Sequence, residues 1–315
     1  MIALFGAFGL LASAIVTNKV LLYALSPEFL VALRMLAASF FLLLYSYIKP
    51  SSRFSSKLVK SYLSLLFVIA CFTTFFPSNL KAYALAHMQS SKMAFFGTLD
   101  PFVAALLSYV MYNERLSMRK WIGLFIGCIG MCVLIFSRSS VEEQMKAFSV
   151  VSYPELAAFS AIIVSRFGWM LAQGLLKADV FRPIQLNSIT MFIGGFFSLL
   201  LALGRAQTSI TSLSHAPVAL LHTPPVSFVD PSTQLTLLLF YTILIGNVFG
   251  YTLYAHVLKW YSATFIALAG FSIPLMVHFL GWLFLGEPLS WTFLCACGIT
   301  FSGLLIFFSD EKVLI

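Results

Sequence analysis

The sequence predicts an all-α integral membrane protein whose ten transmembrane helices form two inverted five-helix repeats. Three observations carry this reading. The 315 residues are 60% hydrophobic and only 10% charged. The apolar residues fall in ten runs of bilayer length. The second half of the chain repeats the first at a constant offset.

Composition excludes an ordinary soluble domain, which carries roughly 25% charged residues. With 10% charged residues the chain cannot cover a water-facing surface, and lipid is the solvent that tolerates it. A net charge of +8 in a soluble protein would suggest nucleic acid. Here the basic residues lie mostly in short loops, so topology explains them and no nucleic-acid partner is expected. Cys71, Cys128, Cys132, Cys295 and Cys297 all sit inside apolar runs. They read as small packing residues, without the loops or partner ligands of a disulfide framework or metal site. No metal and no cofactor is expected. The Ala12-Ser13-Ala14 tripeptide resembles a signal-peptide cleavage site. No basic segment precedes it and the apolar run continues past it, so the segment reads as a retained first span.

Runs of about 17–25 apolar residues cross the hydrocarbon core as helices. They fall near 2–24, 28–48, 62–87, 93–112, 120–136, 153–176, 184–204, 235–258, 262–285 and 289–308. Most connections are short, which makes consecutive helices antiparallel neighbours. The two longer ones are 137–152, with Glu142, Glu143 and Lys146, and 205–234, with Pro217, Pro224, Pro225 and Pro231. The second reads as an irregular external loop.

Lysine and arginine placement orients the chain. With the N-terminus in the cytoplasm, the inner loops and tail hold eleven basic residues: Lys49, Arg53, Lys57, Lys60, Arg115, Arg119, Lys120, Lys177, Arg182, Lys259 and Lys312. The outer loops hold four, Lys92, Arg138, Lys146 and Arg205. Both termini are therefore expected in the cytoplasm, with the protein in the cell (inner or plasma) membrane.

The repeat is visible at an offset of 173 residues, which carries Pro101 onto Pro274 and Glu114 onto Glu287. The same ungapped offset carries Phe76, Gly97, Ile126 and Gly130 onto Phe249, Gly270, Ile299 and Gly303, and Leu116-Ser117 onto Leu289-Ser290. Ahead of these, Pro27 matches Pro183 at an offset of 156, which puts Thr190 opposite Arg34. The expected units are residues 1–137, a connecting loop at 138–152, and residues 153–310. An odd number of spans per unit inserts the second copy upside down, the inverted arrangement of many secondary transporters.

These residues carry a family resemblance over nearly the whole chain. Lys19, Ser26-Pro27 and Leu33-Arg34 look like one recurring pattern. Pro101 with Asn113-Glu114-Arg115-Leu116-Ser117, and Pro274 with Gly286-Glu287-Pro288-Leu289-Ser290, form a second pattern given twice. The chain thus resembles the drug/metabolite transporter superfamily, specifically its EamA-type members. The resemblance implies ten helices, cytoplasmic termini, a cavity between the halves, and export or exchange of small metabolites or drugs. Asp100 departs from the small or hydroxyl residue usual before this proline, and the second half lacks the arginine of span two.

Charges inside spans are costly and face a cavity or a partner. Lys19, Arg34, Lys81 and Asp100 each sit roughly 7–11 Å below the outer boundary at 1.5 Å per residue. They are candidates for a substrate-binding cluster, joined from the other half by Arg166. Trp169, Tyr251 and Tyr254 are candidates to stack on a planar substrate. Lys19 and Lys81 could instead snorkel, and Arg34 and Asp100 could pair structurally. Pro101 and Pro274 are expected to kink their helices as hinges. Glu114 and Glu287 read as structural corners, capping a helix or pairing with Arg115 or Arg119. His256 and His278 read as core histidines or a proton relay. Gly123-x-x-x-Gly127 and Gly246-x-x-x-Gly250 read as close-packing faces.

The expected function is a secondary transporter, exporting or exchanging by alternating access. Its solute is a small organic metabolite, zwitterionic or anionic, such as an amino acid or a nucleoside-linked metabolite of the S-adenosylmethionine type. The expected partners are that solute and membrane lipid, with the chain a monomer or homodimer. An intramembrane enzyme or a channel is the alternative. An enzyme lacks support, since no H-E-x-x-H, G-x-S-x-G or ligand-spaced Cys/His set occurs. Span one carries Lys19 and no acidic residue, which argues against a proton-coupled cation pump.

Overall fold

A computed structural model describes residues 2–48, 56–113, 116–136, 151–205, 231–250 and 270–309. The expectations for Tyr251, Tyr254, His256, Glu114, and for most of both long connections, lie outside these residues. The described elements are all helical. In chain order they are α1 (Ile2–Leu21), α2 (Pro27–Ile48), α3 (Ser56–Ser61), α4 (Leu63–Ala70) and α5 (Phe76–His87). Then come α6 (Ser90–Phe96), α7 (Asp100–Tyr112), α8 (Met118–Phe136), α9 (Tyr153–Lys177) and α10 (Pro183–Gly204). The last three are α11 (Pro231–Tyr241), α12 (Ser272–Leu285) and α13 (Trp291–Phe307). Among the described residues, six helical stretches are long and apolar enough to cross a membrane: Pro27–Ile48, Leu63–His87, Ser90–Met111, Met118–Ile135, Tyr153–Lys177 and Pro183–Gly204. Shorter apolar stretches cover Phe8–Leu21, Thr233–Phe249, Ser272–Leu285 and Trp291–Phe307.

Local chemistry sets the ends of these helices. Ser152 and Glu155 close a capping box at the start of α9, with Pro154 in its first turn. Pro183 opens α10, while Gln185 accepts a hydrogen bond from the Arg182 N–H. α7 ends on Asn113 at φ 54° and α12 on Gly286 at φ 66°. Both are left-handed caps, which asparagine and glycine adopt most readily. They stand 173 positions apart, so the repeat extends to backbone conformation.

The repeat also extends to the helix breaks. A π-helical segment, Cys71–Phe75, joins α4 to α5, and a second, Thr242–Phe249, follows α11. Shifted by 173, the first falls on 244–248, inside the second. The first π segment packs on α10 and α9; the second packs on α2 and α1. α2 lies along α10 and α8 along α13, so each pairing joins corresponding helices of the two halves. Small residues allow the second contact. A Cβ on Gly123 would come within 2.6 Å of the Gly303 carbonyl, and one on Gly130 within 3.0 Å of the Ala296 carbonyl.

Polar contacts lace one end of the bundle. There Glu28 of α2 binds Arg205, the residue after α10, at 2.7 Å, and Lys92 of α6 binds Glu155 of α9 at 2.7 Å. The charge distribution predicts Lys92 in an outer loop. It is instead 2% exposed within α6, because the α5–α6 turn is short and Glu155 neutralises the buried ammonium. The two repeated prolines lie close to helix starts. α6 gives way to a 3₁₀ turn at Gly97–Leu99, and Pro101 lies in the first turn of the new helix α7. Pro274 likewise sits near the start of α12. A proline in a first helical turn removes no intrahelical bond, and Pro101 stands where the fourth span breaks from one helix to the next.

Candidate functional site

The 3₁₀ turn at Gly97–Leu99 interrupts the fourth span midway and starts a fresh helix at Asp100. The carboxylate therefore sits in a first helical turn, where the helix dipole favours negative charge. Across from it, Arg166 projects from the middle of α9, and its Nη1 lies 3.2 Å from Asp100 Oδ2. The two side chains keep 22% and 37% of their surface accessible, so this pair is partly open rather than sealed. Lys81 of α5 is exposed and within electrostatic reach of Asp100. Three of the five predicted charges, Lys81, Asp100 and Arg166, are thus brought together.

The other two are placed differently. Arg34 is half-buried in α2 and donates from Nε and Nη2 to Asn247 Oδ1 at 3.0 and 2.9 Å. Asn247, in the second π segment, is fully buried, and its Nδ2 points at Met35 Sδ 3.1 Å away. Lys19 departs from the expected cluster. It is 8% exposed, and its ammonium donates to the carbonyls of Leu85, Ala86 and Met88 at 2.6, 3.1 and 2.8 Å. Those carbonyls sit at the end of α5, where a helix leaves acceptors unsatisfied. Three acceptors match the three protons of an ammonium, so Lys19 caps a helix.

Glu287 takes a partner different from the arginines near the other corner. Its carboxylate accepts from Ser90 N–H at 2.7 Å and Ser90 Oγ–H at 2.8 Å. The corner after α12 thereby caps the start of α6 in the other half. His278 is 3% exposed and stacks on Phe293 with ring centroids 4.2 Å apart. Trp169, half-buried, borders a narrow crevice with Ile69, Thr73, Ala172, Leu186, Asn187 and Thr190.

Neutral polar residues at the helix breaks are the part that sequence reading missed. Thr73 and Thr74 are buried in the first π segment and Asn247 in the second. The signal was present, since the 173-residue offset carries Thr74 onto Asn247. Asn247 meets Arg34 of α2, and Thr74 lies against Gly194 of α10. The two halves therefore present corresponding breaks to corresponding helices, one charged and one neutral.

The family model for EamA-like transporters matches residues 1–136 and 153–309. The chain belongs to the EamA-like transporter family. It is a multi-pass membrane protein and a transporter of small metabolites. Among curated relatives of this EamA-like transporter, a protein of Chlamydia muridarum is 28% identical over 95% of this chain and 88% of its own length. It is named S-adenosylmethionine/S-adenosylhomocysteine transporter. Proteins of Chlamydia trachomatis serovars L2 and D carry the same name, each 26% identical over 95% of this chain and 86% of their own lengths. A solved crystal structure shares the fold, with a TM-score of 0.57 at 14% identity over 96% of both chains.

Proposed function

We propose that this EamA-like transporter exchanges S-adenosylmethionine for S-adenosylhomocysteine, by alternating access of a central site to the two faces of a cell membrane. The single observation that carries the substrate is the name shared by three relatives that align over 95% of the chain. The site is compatible with it. Both compounds end in a zwitterionic amino-acid group. Asp100 can bind the ammonium, while Arg166, Lys81 and Arg34 supply donors for the carboxylate, with arginine suited to a bidentate grip.

In this reading ten helices cross the membrane as two inverted repeats, at 1–137 and 153–310, with both termini in the cytoplasm. The π segments and the openings of α7 and α12 are the places where the halves bend. The partly exposed Asp100–Arg166 pair opens as substrate enters. Arg34 and Asn247 form the corresponding polar contact between α2 and the second π segment. The test is uptake of labelled S-adenosylmethionine into proteoliposomes preloaded with S-adenosylhomocysteine. Saturable, trans-stimulated uptake is expected, and uptake linear in concentration would indicate a channel instead.

A further inference from the structure

The crevice between the first π segment, α9 and α10 holds a buried polar group that the charged cluster does not use. Asn187 is 4% exposed, and its Nδ2 has no hydrogen-bond partner. A buried amide donor left unpaired is costly in a helical membrane protein, so its presence asks for a ligand. It shares the crevice with Thr73, Trp169, Ala172, Leu186 and Thr190. Trp169 lies three residues after Arg166 on α9, so the two side chains share one helix face about 5–6 Å apart at Cβ. An elongated solute held by Arg166 and Asp100 at one end reaches the indole with its other end.

We infer that this crevice is a nucleobase subsite specific for adenine, with Trp169 stacking on the ring and the Asn187 carboxamide reading its edge. The inference rests on the substrate reading above and adds the residues that recognise the base. Asparagine matches the N6/N7 edge of adenine bidentately, with Oδ1 accepting from the exocyclic amine and Nδ2 donating to N7. Hypoxanthine presents an oxygen in place of that amine and repels Oδ1. Indole stacking tolerates any base, so discrimination falls to Asn187.

In this conformation the crevice is too tight to admit a water. Entry of the ring requires the crevice walls, α9 and the π segment, to part. At Gly168 the two elements meet backbone to backbone: a Cβ there would lie 2.6 Å from the Phe72 carbonyl carbon and 2.7 Å from Thr73 N. Thr73 already uses its hydroxyl on the Ile69 carbonyl at 2.7 Å, which leaves Asn187 as the reader.

The test is competition and substitution in the exchange assay. Adenosine should inhibit uptake of labelled S-adenosylmethionine about tenfold more strongly than inosine. Asn187→Leu should raise KM about tenfold with maximal rate little changed, and should erase the adenosine–inosine difference. Trp169→Leu should raise KM about tenfold while keeping that difference. Exchange in the wild type with equal inhibition by the two nucleosides overturns the subsite alone, and that arm needs no variant to fold. Unchanged KM in both variants overturns it equally. Absence of any exchange in the wild type overturns the substrate reading and the subsite with it.

Discussion

Asp100 and Arg166 stand 3.2 Å apart, one from each half of the chain. The pair is partly accessible at mid-span, where a fully satisfied structural pair would be buried. Asp100→Asn keeps the shape and removes the charge. Exchange in that variant should fall about tenfold or more, the cost of losing a charge-assisted contact in this setting. Arg166→Gln should fall comparably, with both proteins reaching the membrane in normal amounts. Transport rates normalised to protein in proteoliposomes give the answer.

Arg34 and Asn247 should act as a unit. Arg34 donates twice to one carboxamide oxygen, so Asn247→Leu and Arg34→Met each remove the same contact. The double variant should be little worse than either single one, giving a coupling of about 0.5–3 kcal/mol in a double-mutant cycle on transport. Additive losses would mean that the two residues work independently.

Lys92 and Glu155 are 3% and 0% exposed and 2.7 Å apart. Removing one partner leaves a buried charge, which costs about 3–5 kcal/mol. Lys92→Met should therefore lower the thermal unfolding midpoint in detergent by several degrees. The double variant Lys92→Met, Glu155→Met should recover much of the loss, because the desolvation penalty disappears with the charges.

Glu287 caps α6 through two hydrogen bonds from Ser90. Glu287→Ala should destabilise by about 1–3 kcal/mol. The effect should appear in thermal unfolding, with KM for the transported solute unchanged. A selective rise in KM would place Glu287 on the transport path.

The contact of α8 with α13 depends on missing side chains. Gly123→Ala sets a methyl 2.6 Å from the Gly303 carbonyl, and backbone cannot yield as a side-chain tip can. A loss of about 1–3 kcal/mol is expected from such overpacking, measured by thermal unfolding in detergent.

Much of the helix pattern was legible because a bilayer imposes it. Apolar length placed the six long apolar helices among the described residues within several residues, and Pro27 and Pro183 start α2 and α10 where their fixed φ suits a first turn. The charges at Asp100 and Arg166 were legible for the same reason, since a charge in an apolar run stands out. Their partners were harder. Lys19 reads like a cavity residue, yet three carbonyls at the end of α5 claim it; which carbonyls a lysine meets depends on tertiary packing. Lys92 reads like a loop residue because Glu155, its partner, is 63 positions away. The π segments leave no mark in composition, but Thr74 and Asn247 could have been found by asking which neutral polar residues coincide at the repeat offset.

Exchange through a site centred on Asp100 and Arg166 is the proposed activity of this chain. It is tested most directly by loading proteoliposomes with S-adenosylhomocysteine and following labelled S-adenosylmethionine inward, for the wild type and Asp100→Asn. Saturable uptake that requires the internal solute and is lost in the variant is expected. Uptake that is indifferent to the internal solute, or equal in the variant, would contradict it.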